Sequence, residues 1–143
     1  MPDTHEALGI RYAVRTDVGR HRDSNEDAAY AGPRLLAVAD GLGGHAGGAT
    51  ASRLAVGAFL IAIESGRSLR DALDAANSAV GEAARRDPAL DNMGTTLVAA
   101  VVQGNEVRWI SVGDSPFYLA TRGRLERLNA DHLRSGRNGA GKG

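Results

Sequence analysis

The stretch from Leu35 to Gly48 constrains this chain more than any other. Five apolar residues, Leu35-Leu36-Ala37-Val38-Ala39, run straight into Asp40-Gly41, and the eight positions from Gly41 to Gly48 hold five glycines. A short apolar run bounded by turn residues predicts a fully buried strand. An aspartate at its end would be costly to dehydrate unless a cation or a cage of hydrogen bonds compensated it. The glycines let backbone approach backbone closely. The segment therefore delivers a carboxylate, on a rigid strand, to a loop nearly free of side chains.

The flanking pattern predicts an α+β chain. Ile10-Arg11-Tyr12-Ala13-Val14-Arg15 alternates as a half-buried strand does, after a leader over residues 1–9. Leu54, Ala55, Ala58, Phe59 and Ala62 recur at helical spacing, and Gly66 ends that helix. Ser68 and Asp71 form a capping box before a second helix with Leu69, Ala72, Leu73, Ala76, Ala79, Val80 and Ala83 on one face, stopped by Pro88. Thr95 to Val102, Val107 to Val112, Phe117 to Ala120 and Leu125 to Leu128 then read as a meander of strands with turns at Gly104-Asn105 and Arg122-Gly123. Two strands, two helices and a meander predict antiparallel sheet rather than repeated βαβ units. Residues 134–143 lack an apolar period and are expected to be a tail without regular structure.

Composition excludes several function classes. The chain has 143 residues, enough for one domain with a real core. Lys plus Arg and Asp plus Glu both total 17, so no net field draws nucleic acid or anionic lipid. With no cysteine there is no disulfide, thiolate zinc site or thiol nucleophile. No unbroken run of 18 apolar residues and no secretion signal occur, so a cytoplasmic protein is expected; a monomer is expected as well.

Three turns gather acidic residues: Arg22-Asp23-Ser24-Asn25-Glu26-Asp27, Asp40-Gly41 and Gly113-Asp114-Ser115. Hard divalent cations such as Mg²⁺ and Mn²⁺ prefer carboxylate, carbonyl and water oxygens, which such turns supply. A single acidic loop residue is more often merely solvated, but Asp40 follows a buried run directly. Two other motifs are decoys. Gly41-Leu42-Gly43-Gly44-His45-Ala46 mimics a dinucleotide fingerprint, yet Asp40 would aim charge at the pyrophosphate and no acidic residue ends a second strand about 20 residues on. Gly136 to Lys142 matches G-x-x-x-x-G-K, but no helix follows to cradle a phosphate.

Taken together, Arg22 to Asp27, Ala37 to His45, Ala51-Ser52, Gly94-Thr95-Thr96, Val112 to Ser115 and Asp131-His132 resemble, in order, the motifs of bacterial type 2C metal-dependent serine/threonine protein phosphatases. The likeness covers about residues 10–132 and implies a fold of two antiparallel sheets packed face to face, flanked by helix pairs. It implies that phosphoserine and phosphothreonine proteins are hydrolysed by metal-activated water at a dinuclear Mn²⁺ or Mg²⁺ centre. In that centre Asp40 would bridge both ions, Gly41 would lend its carbonyl, and Glu26 and Asp27 would hold the ions and their waters. Arg22 would bind the phosphate, and Asp114 would serve a third, weaker ion. Leu42 stands where eukaryotic members carry histidine, and His45 reads as a loop-packing residue.

The departures from the family pattern shape the expectation. The later Ser-Asp-Gly segment and closing Asp-Asn pair, each of which supplies a metal-binding aspartate in the family, do not follow the Asp131-His132 pair, and neither Asp91 nor Asp131 stands in for them. Pro116 follows Ser115 where arginine is usual. Residues 10–133 are thus expected to form about the first half of the domain, an incomplete sandwich with little or no activity. The alternative is an inactive fragment or pseudophosphatase acting at most as a binding module.

Overall fold

Strict alternation along strand β2 (Leu35–Leu42) organises the molecule: Leu35, Ala37, Ala39 and Gly41 are buried, while Leu36, Val38, Asp40 and Leu42 face outward. The computed structural model describes residues 9–44, 46–129 and 134–139. Strand β1 (Asp27–Ala31) is followed by β2, helix α1 (Ala46–Glu64), helix α2 (Leu69–Arg86), a short 3₁₀ turn over Pro88–Leu90, β3 (Gly94–Thr95), β4 (Leu97–Gln103), β5 (Glu106–Val112), β6 (Tyr118–Thr121), β7 (Arg124–Arg127) and β8 (Arg134–Gly139). The main sheet runs β1-β2-β4-β5-β8, with β3 continuing the β2 pairing, and β6 and β7 form a separate hairpin. Every pairing is antiparallel. This is the expected α+β architecture, with one helix pair on one face of the sheet.

The core lies between that face and α1. Leu35, Ala37 and Ala39 of β2, Leu97, Ala99 and Val101 of β4 and Ile110 of β5 meet Ala55, Val56, Phe59 and Ala62 of α1, with Ala72 and Ala76 of α2 joining them. The alanines and glycines on α1 let it sit close to the sheet. Helix α2 begins where the Ser68 hydroxyl accepts the Asp71 N–H at 3.1 Å, as the capping pattern predicts. Helix α1 is long and apolar enough to pass for a membrane span by length and composition, although no unbroken apolar run flags it. Its buried stripe against the sheet accounts for that apolar character.

Three expectations are corrected. The Leu35–Ala39 run is half-buried rather than fully buried, because helices cover only one face: Leu36 and Val38 remain 37% and 49% exposed. Residues 10–15 form no strand. Alternation supplies a face but not a partner, and Ala13 and Val14 instead line a hollow on the uncovered face beside Leu36, Val38, Val98 and Phe117. Arg134–Gly139, expected within an irregular tail, pairs with β5 from Ser111↔Arg134 to Glu106↔Gly139. Backbone pairing needs no apolar pattern, and Gly136 fits where a β-carbon would come within 2.6 Å of the Trp109 indole. The leader residues 1–8 and the end 140–143 lie outside the described residues.

Phe59 is the largest fully buried side chain among the described residues. Phe59→Ala should cost about 3–5 kcal/mol in urea unfolding. Ile61→Ala, two residues along but 69% exposed, should stay within about 0.5 kcal/mol.

Candidate functional site

The antiparallel register sets Asp27 directly opposite Asp40, with Ala28 opposite Ala39 and Ala29 opposite Val38. Opposed side chains on adjacent strands share a face, so the two carboxylates stand together at one end of the sheet, on the side away from the helices. The preceding loop is tied down locally. The Asp17 carboxylate accepts the Gly19 N–H at 2.7 Å, the Asn25 amide donates to the Thr16 hydroxyl at 2.7 Å, and Asn25 Oδ1 accepts the Asp27 N–H at 3.0 Å. These contacts wrap Asp17, Val18, Arg22, Ser24, Asn25 and Glu26 around Asp27 and Asp40 as a polar cleft of about 150 Å³. Arg22, Glu26, Asp27 and Asp40, four of the residues singled out from sequence, thus meet in one place.

A fifth, Gly41, follows Asp40 on β2 but faces helix α1 and does not itself line the cleft. Its N–H donates to the Glu26 carbonyl at 3.1 Å, and the same carbonyl accepts the hydroxyl of fully buried Ser52 at 2.7 Å. In an extended residue N–H and C=O leave the same edge, so the Gly41 carbonyl projects toward the β1 side. A β-carbon on Gly41 would overlap the Gly48 carbonyl, and one on Gly48 would come within 2.8 Å of the Glu26 carboxyl group. The two glycines therefore let β2, the first turn of α1 and the Glu26 side chain converge. Sequence reasoning assigned Ser52 and Asn25 no role. A serine within the buried stripe of an apolar helix was the available signal for the first.

Asp114, the sixth residue, is exposed on the turn after β5 and does not line the cleft. His45 and the Asp131-His132 pair lie outside the described residues. Among the described residues, no three Asp, Glu or His side chains converge closely enough to hold an ion by themselves.

The electrostatics follow from the crowding. Partial dehydration, then the charge of Asp40 and a hydrogen bond shared with its carboxyl, raise the pKa of Asp27 above the ordinary 3.8; Glu26 adds to this and the Arg22 guanidinium opposes it. Two apposed carboxylates with a nearby carbonyl are a hard-oxygen donor set that suits Mn²⁺ or Mg²⁺. The residues fit such ions, as part of a coordination shell.

Comparison with known proteins bears on this cleft. The protein phosphatase 2C family model matches residues 20–136. The chain belongs to that family. The serine/threonine protein phosphatase PstP of Mycobacterium tuberculosis strain H37Rv is 45% identical over 130 residues, covering 87% of this chain and 25% of the relative. The serine/threonine phosphatase stp of Listeria welshimeri is 37% identical over 133 residues, covering 82% of this chain and 53% of the relative. A crystal structure of the Mycobacterium tuberculosis phosphatase PstP/Ppp superposes with a TM-score of 0.79 at 41% identity, covering 87% of this chain and 55% of that one. A structure of the PstP catalytic domain, described as a complex with 2 manganese ions, gives a TM-score of 0.80 at 41% identity over 86% of this chain and 56% of that one. This phosphatase 2C chain thus spans a quarter of one curated relative and about half of the other.

The Asp27–Asp40 pair makes a pH prediction for metal-free protein. A carboxyl whose folded pKa lies above its unfolded value binds its proton more tightly when folded. Stability is therefore greatest with Asp27 protonated and falls as pH rises from about 3.8 through the raised value. In EDTA, Asp27→Asn should raise the unfolding free energy measured in urea at neutral pH, by less than about 1 kcal/mol for so exposed a pair. The advantage should vanish by about pH 3, where Asp27 is protonated in both states.

Proposed function

We propose that this cleft is the phosphate-ester site of a metal-dependent protein phosphatase acting on phosphoserine and phosphothreonine. The observation that carries the reading is the meeting of Arg22 with the apposed Asp27 and Asp40 carboxylates in one polar cleft. Asp40 would be shared between two Mn²⁺ or Mg²⁺ ions, Glu26, Asp27 and the Gly41 carbonyl would complete this chain's side of the shell, and Asp114 would serve a third, weaker ion. When bound, such ions neutralise a dianionic phosphomonoester and acidify water for attack on phosphorus.

The chain's own residues prepare the site. Asp27 and Asp40 repel each other in its absence, so a cation relieves a strain built into the register. The Arg22 guanidinium is planar and offers paired N–H donors that match two phosphate oxygens, which an ammonium cannot do. It lines the same cleft as Asp40, so it can hold the ester against that carboxylate's ions. No side-chain nucleophile is required, in keeping with a sequence that has no cysteine. The partners are phosphoproteins, met as a cytoplasmic monomer, and balanced charge argues against nucleic acid or anionic membrane as a ligand.

A second reading draws on a separate observation. No three ligating side chains converge among the described residues, which favours a module that binds a phosphorylated segment with little or no turnover. An aryl phosphate in millimolar Mn²⁺ separates the two. Turnover that is lost in EDTA and falls at least about 100-fold in Asp40→Asn supports the phosphatase. No turnover, with phosphopeptide binding weakened by Arg22→Ala, supports the binding module. Turnover that persists in EDTA contradicts both.

A further inference from the structure

The β2 ladder changes its bonding at Asp40 without changing register. Val38↔Val98 on one side and Gly41↔Thr95 on the other set Asp40 opposite Thr96. The Thr96 N–H donates to the Asp40 carbonyl at 3.0 Å, as a regular antiparallel pair requires. The return bond is different. The Thr96 carbonyl accepts the Thr95 hydroxyl at 2.8 Å, and the Asp40 N–H donates to the Thr96 hydroxyl oxygen at 3.0 Å. One backbone acceptor has been replaced by a side chain, at the residue that carries the cleft's central carboxylate.

That hydroxyl has a second partner. Thr96 Oγ1 lies 2.6 Å from Ser115 Oγ, and either can donate. Ser115 belongs to the Gly113-Asp114-Ser115 turn, which is seated on Thr96 by a close approach as well. Gly113 has φ +93°, and a β-carbon there would lie 2.7 Å from Thr96 Cγ2. The far side of the turn is held by buried Asn129, whose amide donates to the Ser115 carbonyl at 2.8 Å and the Ser111 hydroxyl at 2.6 Å while Oδ1 accepts the Phe117 N–H at 2.8 Å.

We infer that Thr96 and Ser115 are positioning residues: their paired hydroxyls join the Asp40 strand end and the Asp114 turn into one mechanical unit, so that displacement of one carboxylate is felt at the other. The inference gives the phosphatase reading a means of coupling its main ion site to the third, and its relevance to catalysis rests on that reading. Thr96 does not line the cleft. It sets where Asp40 stands, through the Asp40 amide.

Amide hydrogen exchange on the full chain in EDTA tests the linkage apart from any metal or activity. The Asp40 N–H bonds to Thr96 and not to Ser115, yet Ser115→Ala should speed its exchange about fivefold, the loss of roughly one hydrogen bond. The Ala99 amide in β4 should hold its rate. Thr96→Val should give at least the same acceleration, and Thr96→Ser, which keeps the hydroxyl, should restore the wild-type rate. Should Thr96→Val fail to fold, Ser115→Ala and Thr96→Ser still decide the matter. An Asp40 rate unchanged by Ser115→Ala, or Asp40 and Ala99 accelerated by the same factor, would overturn the inference. Loss of Mn²⁺-dependent turnover in Asp40→Asn is a separate result, so failure of the phosphatase reading remains distinguishable.

Discussion

The apposition of Asp27 and Asp40 depends on register, and the core fixes that register. Leu35, Ala37 and Ala39 must face α1, which leaves Leu36, Val38 and Asp40 on the other side. A slip of one residue would turn Asp40 into the helix interface and expose Ala39. The apolar alternation that stabilises the sheet therefore also sets two like charges side by side at its end. Hydrophobic burial holds together what electrostatics alone would separate, and that is the physical basis of the proposed cation site.

Around the pair, polar contacts restrict motion in each direction. Ser52 and Gly41 fix the Glu26 carbonyl from α1 and β2, Asn25 holds the first amide of β1, and Thr96 holds the amide of Asp40. These bonds link residues up to 56 positions apart in sequence, and several replace what would otherwise be unsatisfied backbone groups at strand ends. A site built this way keeps its oxygens in place before any ligand arrives, which lowers the cost of ordering them on binding.

Much of this was legible in the chain. The apolar run ending in Asp40-Gly41 announced a strand that delivers a carboxylate, and the helical spacing through Phe59 and the Ser68 cap announced the two helices. Glu26, Asp27, Asp40 and Gly41 stood out as acidic and glycine-rich turns at strand ends, whereas Arg22 and the role of each residue came from the resemblance of their motifs to the phosphatase family. Partner-dependent features were not legible. Whether residues 10–15 pair, whether Arg134–Gly139 adds to an edge, and whether both faces of β2 are covered depend on what lies alongside, which local pattern does not encode. The Thr96 hydroxyl was hidden for the same reason, since a threonine inside a β-branched run reads as ordinary strand until its opposite residue is known. Asp114 was grouped with the other acidic turns by residue type, although it stands outside the cleft and its turn meets the Asp40 strand end through Gly113 and Ser115 against Thr96.

The central claim is that the apposed carboxylates of β1 and β2 grip a divalent cation. Paramagnetic broadening of backbone amide signals during a Mn²⁺ titration tests it most directly. The amides of Glu26, Asp27, Asp40 and Gly41 should broaden first, and Asp40→Asn should abolish this while leaving the rest of the spectrum in place. Broadening that begins elsewhere, or that is the same in Asp40→Asn, would contradict it.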